Sequence, residues 1–391
     1  PYGLFCLTAY AADRFPEVQF QILDLQLEEP GFNVGQFLAT EKPDLTMVTA
    51  VTPYEPYAQD IGQIHRTTLS DKVSWIGGYH PTVMPEETML ERNFDMVGIG
   101  ESEETFGELL KLWIAGEAKN LGQVNGIGYH DALGKLIKTS PRLPKESLDL
   151  YPAAAKARKF LIEQDTQYQT YGGTKIYDTS PGSLATQRGC KFNCRFCGSR
   201  RMYPMGMRQR SMENVVDEIQ FLNQEYGVQN FYFLDDTLNN NPKRVMELSN
   251  HIISRRLKIE WVGMGRTDVL DEDMYRIMRR AGCVEIAFGV ESLDPEVRRA
   301  MGKGSSVENV ESVTKMTQRS GIEAKWYLMV GSPSPENLKS AEITARGLEK
   351  MRPNKIRVFK TIPYPGTTYF NNPSLHVLPE YQATKIASLC P

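Results

Sequence analysis

Short apolar runs and amphipathic stretches alternate along the first 140 residues. "VQFQILDL" (18–25), "DLTMVTAV" (44–51), "VSWIGG" (73–78) and "FDMVGIG" (94–100) are brief, apolar and bounded by polar or turn residues. That pattern predicts buried strands. Between them, "GLFCLTAYAAD", "EPYAQDIGQIHRTTLS" and "EETFGELLKLWIAG" repeat their apolar positions at helical spacing. Strands alternating with helices predict an α/β domain built on a Rossmann-like, doubly wound parallel sheet. Such a sheet ordinarily opens on a strand. Here the first element is a helix at "PYG", so the pattern places a first strand before Pro1. "NGIGYHDALGKLIKTS" (125–140) predicts a hairpin turning at Gly134. The first domain is accordingly read as 1–140.

Residues 141–180 break the alternation. "PRLPKESLDLYPAAAKARK" contains three prolines and little periodicity, which predicts a surface linker with at most one short helix. From 181 to 369 the alternation resumes with a longer period. Six strands are expected in "SLATQRG", "NFYFLDD", "IEWVGMGR", "VEIAFGVES", "AKWYLMVG" and "KIRVFKTI". Helical stretches separate them. In 211–227, Ser211 can cap a helix whose stripe is Val215, Ile219, Leu222 and Tyr226, and Gly227 can end it. Six strand–helix repeats predict a partial (β/α)6 TIM-like barrel, two repeats short of closure. A short tail, 370–391, follows.

Composition narrows the function classes. The net charge is −3 and 24% of residues are charged, so no basic excess points to nucleic acid. No apolar run reaches the roughly 18 residues of a membrane span, and no signal peptide is visible. Cys6, Cys283 and Cys390 are scattered among the six cysteines and do not form a disulfide framework. They read as buried or incidental thiols in a reducing, cytoplasmic compartment.

The remaining three, Cys190, Cys194 and Cys197, fall in "TQRGCKFNCRFCGSRR" with the spacing Cys-x3-Cys-x2-Cys. A structural zinc site wants four ligands, and no further Cys/His pair lies nearby. A disulfide would use two thiols. A four-iron cluster normally takes four thiolates; three leave one iron open to a chelating ligand. The loop follows the first barrel strand, at the rim where barrel active sites lie.

These cysteines, with aromatic Phe196 before the last of them, resemble the radical S-adenosylmethionine (SAM) superfamily. The order and spacing of the barrel are similar too. The resemblance implies a [4Fe-4S] cluster whose open iron is chelated by SAM, and reductive cleavage of SAM to methionine and a 5′-deoxyadenosyl radical. It implicates Asp235 and Asp236 in "FLDD" for the SAM amino group, Arg266 in "GMGRTD" for its ribose or carboxylate, and Gly289 and Glu291 in "FGVES" for its adenosine. From the residues alone, the two aspartates could equally cap the following helix. "PYPGT" (363–367) reads as a rigid turn with no chemistry of its own.

The N-terminal sheet resembles the cobalamin-binding domain of the B12-dependent branch of that superfamily. "TAVTPYE", "GGYHPTVMPEE" and "GIGESEETF" sit at strand-to-helix junctions, the binding edge of such a sheet. Gly77 and Gly78 would admit the cofactor close to the backbone, or be two tight turns. Thr49 and Thr52 offer hydroxyls, and Tyr79 lies beside them. Glu101 would touch the cofactor or cap the next helix. The Asp-x-His-x-x-Gly motif that supplies an axial histidine is absent, so cobalt without a histidine ligand is expected. His80 then packs beside cobalamin or SAM rather than binding cobalt. The resemblance implies a C-methyltransferase acting on a small-molecule or peptide substrate, in which a substrate radical takes a methyl group from the cobalt. It also implies an external one-electron reductant of flavodoxin or ferredoxin type. An oxidative cyclase or a rearrangement enzyme uses the same cofactors. A non-catalytic cobalamin or iron–sulfur sensor would need no SAM site. No residue is singled out as catalytic in the narrow sense.

Overall fold

The computed structural model describes residues 2–25, 31–161, 182–332 and 338–372. Two sheets organise the chain. The first has the order β1-β2-β3-β4-β5, with β1 Leu45–Thr49, β2 Val73–Gly77, β3 Met96–Gly98, β4 Ile127–His130 and β5 Leu136–Lys138. The first three strands are parallel and the last two add on antiparallel as the expected hairpin, with Gly134 at φ 76° in its turn. Helices cover both faces. On one, the helices Tyr2–Ala12 and Glu103–Ile114 bury Ala11, Phe106 and Leu109 against Trp75, Met96 and Ile127. On the other, Ala58 of the helix Glu55–Thr68 meets Ile76, Val97 and Phe94.

Two expectations fail here. Among the described residues, 18–25 form no sheet strand and pair by an isolated bridge from Ile22 to Leu161. Phe20 sits instead between Phe106 and Phe160, at ring separations of 6.4 and 5.5 Å. Its apolar run covers helices rather than extending the sheet. The described part of the linker is also not a surface strap. Two 3₁₀ turns, Leu148–Leu150 and Ala154–Phe160, bury Leu148, Tyr151, Ala154, Ala155 and Ala157. The small alanines let this segment approach the first helix closely, and they carried no periodic signal.

The second sheet is six-stranded and wholly parallel, in the order β6-β9-β10-β11-β12-β13. Its strands are β6 Gly182–Leu184, β9 Asn230–Phe233, β10 Glu260–Gly265, β11 Cys283–Glu291, β12 Glu323–Val330 and β13 Lys355–Lys360. The core lies between these strands and the outer helices, around Phe231, Trp261, Phe288 and Trp326. The helix Met212–Tyr226 forms as expected: the Ser211 side chain accepts from the Asn214 N–H and Gly227 ends it at φ 65°. The predicted strand "SLATQRG" splits. After β6 the chain turns, and β7 Gln187–Arg188 pairs antiparallel with β8 Arg208–Gln209. That short ribbon closes the loop carrying the three cysteines. Among the described residues no helix is long and apolar enough to cross a membrane.

Candidate active site

The cysteine loop leaves the barrel at the end of β7. Its three thiols are free, and each sulfur has a polar neighbour. The Cys190 Sγ lies 3.5 Å from the Thr237 hydroxyl. The Cys194 Sγ accepts from Arg266 Nη1 at 3.9 Å, and the Cys197 Sγ accepts from the Ser199 N–H at 3.5 Å. Burial pushes the Cys197 thiol up to about 11, with Asp236, Cys194 and Cys190 adding to the rise. Among the described residues, no three Cys, His, Asp or Glu side chains converge on a single ion. A lone zinc needs that convergence. A four-iron cluster bonds each thiolate to a different iron, so its ligands stand further apart. Three free thiols on one loop are a donor set that suits an iron–sulfur cluster.

The residues expected around SAM divide. Asp235, buried at the end of β9, accepts from the Thr186 N–H at 3.0 Å and its hydroxyl at 2.5 Å. Burial pushes it up to about 6 against those hydrogen bonds. Its carboxylate ties β9 to the segment after β6. Asp236 accepts from the Ser199 hydroxyl at 2.5 Å and lines the cavity between the two sheets; burial raises its pKa. Of the pair, Asp236 is the one facing open space. Arg266 is clamped by Asp268, stacks 3.6 Å from the Phe192 ring centroid and reaches Cys194. It thus stands beside the cysteine loop. Glu291, left-handed at φ 66°, pairs with Lys303 at 3.0 Å, and Lys303 also donates to the Gly289 carbonyl at 2.8 Å. Phe196 packs with Val297, Met301 and Tyr369.

A cavity of about 210 Å³ separates the two sheets. The N-terminal domain contributes Cys6, Thr49, Trp75, Gly77, Gly78, Gly100 and Glu101, and the barrel side contributes Arg188, Gly189, Tyr203 and Asp236. At that volume the space has room for part of a large cofactor rather than all of it. Its wall leaves room for a ligand. A Cβ built on Gly77 or Gly100 would meet no atom within 4 Å. Trp75 is 2% exposed, and its indole N–H has no partner. A buried donor left unpaired among the described residues is costly.

Gly78 behaves differently from Gly77. At φ 106°, a Cβ there would stand 2.5 Å from the Ala50 carbonyl oxygen, so this glycine serves the fold. Thr52 is buried, and its hydroxyl meets His80 Nδ1 at 3.3 Å. His80 Nε2 lies 3.9 Å from a Glu87 carboxylate oxygen, and burial lowers the imidazole to about 4. Neither residue is on the cavity wall. The Tyr79 hydroxyl donates to the Pro365 carbonyl at 2.8 Å, and burial pushes it up to about 12. Glu101 neither caps the next helix nor stands free; both its oxygens accept from arginines of the barrel.

Sequence reasoning missed Cys6, Trp75, Arg188 and Arg208. Arg188 directly precedes the Gly189–Cys190 step and could have been found by position. Trp75 interrupts the aliphatic run before the glycine pair. Cys6 and Arg208 carried no local signal.

Comparisons with known proteins agree with this two-domain fold. The profile of the Radical SAM superfamily matches residues 184–348, and that of the B12 binding domain matches residues 1–110. An uncharacterized methyltransferase of Pyrococcus horikoshii is 29% identical over 369 residues, 94% of this chain and 77% of its own. The anaerobic magnesium-protoporphyrin IX monomethyl ester cyclase of Rubrivivax gelatinosus is 26% identical over 347 residues, 86% of this chain and 60% of its own. Among solved structures, the radical SAM methyltransferase TsrM of Kitasatospora setae, with cobalamin and a [4Fe-4S] cluster bound, superposes with a TM-score of 0.76 at 18% identity. It covers 94% of this chain and 71% of that one. At that identity the match speaks for the fold.

Proposed function

Because the chain belongs to the cobalamin-dependent radical SAM enzymes, we propose that it methylates an unactivated carbon of a small-molecule or peptide substrate. Its cofactors are a [4Fe-4S] cluster, SAM and cobalamin. Bound together, they supply a radical that removes a substrate hydrogen and a methyl group to replace it. Cys190, Cys194 and Cys197 hold the cluster as thiolates. Asp236 offers a carboxylate for the SAM ammonium, and Arg266 stands beside Cys194 as a fixed positive charge. Gly289, Glu291 and Phe196 lie off the cavity wall and are kept for the SAM adenosine end, with Lys303 pairing with Glu291. On the other side, Gly77, Gly100 and Thr49 receive cobalamin. We take 1–140 and 181–369 as the two functional domains.

The observation that carries this reading is the cavity shared by the glycine edge of the first sheet and the mouth of the cysteine loop. Methyl transfer needs iron, cobalt and substrate carbon in one water-poor cleft, and the space between the two sheets is lined in part by Leu4, Leu7, Met47, Val48 and Leu234. The test is product mass. Methylation adds the mass of one methylene to the substrate. The matched cyclase favours a second reading, oxidative ring closure, which removes two hydrogens instead. The free thiols among the described residues suit a reducing cytoplasm, and reduction of the cluster calls for an external flavodoxin- or ferredoxin-type donor.

A further inference from the structure

The loop carrying the three cysteines is held at both ends by the N-terminal domain. At its base, Arg188 on β7 donates to Glu101 Oε2 and to Glu103 Oε1, each at 2.5 Å. Arg208, opposite it on β8, donates to the other Glu101 oxygen and to the Lys145 carbonyl. The two guanidiniums and two carboxylates balance, and their side chains are only 4 to 14% exposed. Past the third cysteine, Gly198 lies so close to Tyr79 that a Cβ would stand 2.3 Å from the phenol oxygen. Arg201 then donates to the Gly366 carbonyl at 2.5 Å, beside the carbonyl that Tyr79 holds.

The segments that grip the loop, 78–79 and 100–103, also build the cavity wall through Gly78, Gly100 and Glu101. A buried ion pair adds little net stability compared with apolar packing, but its fork geometry fixes orientation. We propose that Glu101, with Arg188 and Arg208, is a positioning set that registers the cysteine loop against the cobalamin edge and thereby sets the iron-to-cobalt separation. This rests on the functional reading above. None of the three need touch a reacting atom. Their effect comes through placement, where a shift of about 1 Å can cost on the order of a hundredfold in rate.

The test compares native protein with Glu101→Gln, reconstituted with iron and hydroxocobalamin. Arg208→Lys, which keeps the charge and loses the fork, is the second variant should the first fold poorly. Two quantities are read: hydrogen exchange across 190–207, and the distance distribution between cob(II)alamin and the reduced cluster by pulsed electron paramagnetic resonance. The proposal expects loop exchange roughly tenfold faster and a broadened distance distribution, with iron content and exchange in the helix Met212–Tyr226 unchanged. Unchanged loop exchange and an unchanged distribution in the folded variants would overturn it. Native protein that binds iron but no corrinoid overturns the functional reading instead, and the exchange comparison then still decides whether the set holds the loop.

Discussion

Gly77 and Gly78 stand side by side and are glycine for different reasons. A side chain on Gly77 would enter the open cavity, whereas one on Gly78 would strike the Ala50 backbone. Gly77→Leu is therefore expected to weaken hydroxocobalamin binding by about tenfold or more, roughly 1.4 kcal/mol, with little change in the unfolding midpoint. Gly78→Leu should lower the midpoint itself; equal effects of the two on stability would refute the distinction. His80 shows burial acting on a titration. Its folded pKa, about 4, lies below the ordinary 6.5, so the folded state binds fewer protons than the unfolded one. The stability linked to the neutral imidazole is present above pH 6.5 and is lost as pH falls from 6.5 towards 4, by at most about 3 kcal/mol. In His80→Gln, the unfolding free energy should depend less steeply on pH across that window than in native protein, and parallel curves would contradict the assignment. The cysteines act as a unit: replacing Cys190, Cys194 or Cys197 by Ala should remove iron and SAM cleavage together. Retention of four irons per chain would show that the replaced residue is not a ligand.

Local physics decided most of the elements. The helix Met212–Tyr226 has its cap, stripe and stop written within seventeen residues, and all three are used. Ser211→Ala should cost about 1 kcal/mol of stability while leaving iron content unchanged, measured by denaturant unfolding. The four central barrel strands were legible for the same reason: each carries an apolar run buried at half or more of its positions, whereas β13 is exposed along its length. Residues 18–25 carry an equally apolar run but spend it on Phe106 and Phe160, because tertiary packing, not pattern, chooses what a hydrophobic run covers. The β7–β8 ribbon has two residues per strand, too few for any periodicity. In the site, motif order placed Asp236 and Arg266 near the cysteines. It could not show that Asp235 is occupied by Thr186, or that Glu101 answers to Arg188 and Arg208. Those are contacts between residues 49, 87 and 107 positions apart, and nothing local encodes them.

At the scale of the molecule, two domains meet across one cleft, and cobalt chemistry depends on what each side offers. His80 is bonded to Thr52 and stands off the cavity wall. The cob(II) form is therefore expected to show no nitrogen hyperfine splitting from a protein imidazole; a resolved triplet would contradict this. Without such a ligand, low-coordinate cobalt favours the nucleophilic state needed to accept a methyl group. The central claim is that the protein uses SAM in two ways, as a radical source at the cysteine loop and as a methyl donor at the cobalamin edge. The most direct test is chromatography of the SAM-derived products formed by the reduced, cobalamin-loaded protein. The account predicts both 5′-deoxyadenosine and S-adenosylhomocysteine, the first lost on Cys194→Ala and the second lost when cobalamin is withheld. 5′-Deoxyadenosine with no S-adenosylhomocysteine under any condition would contradict it.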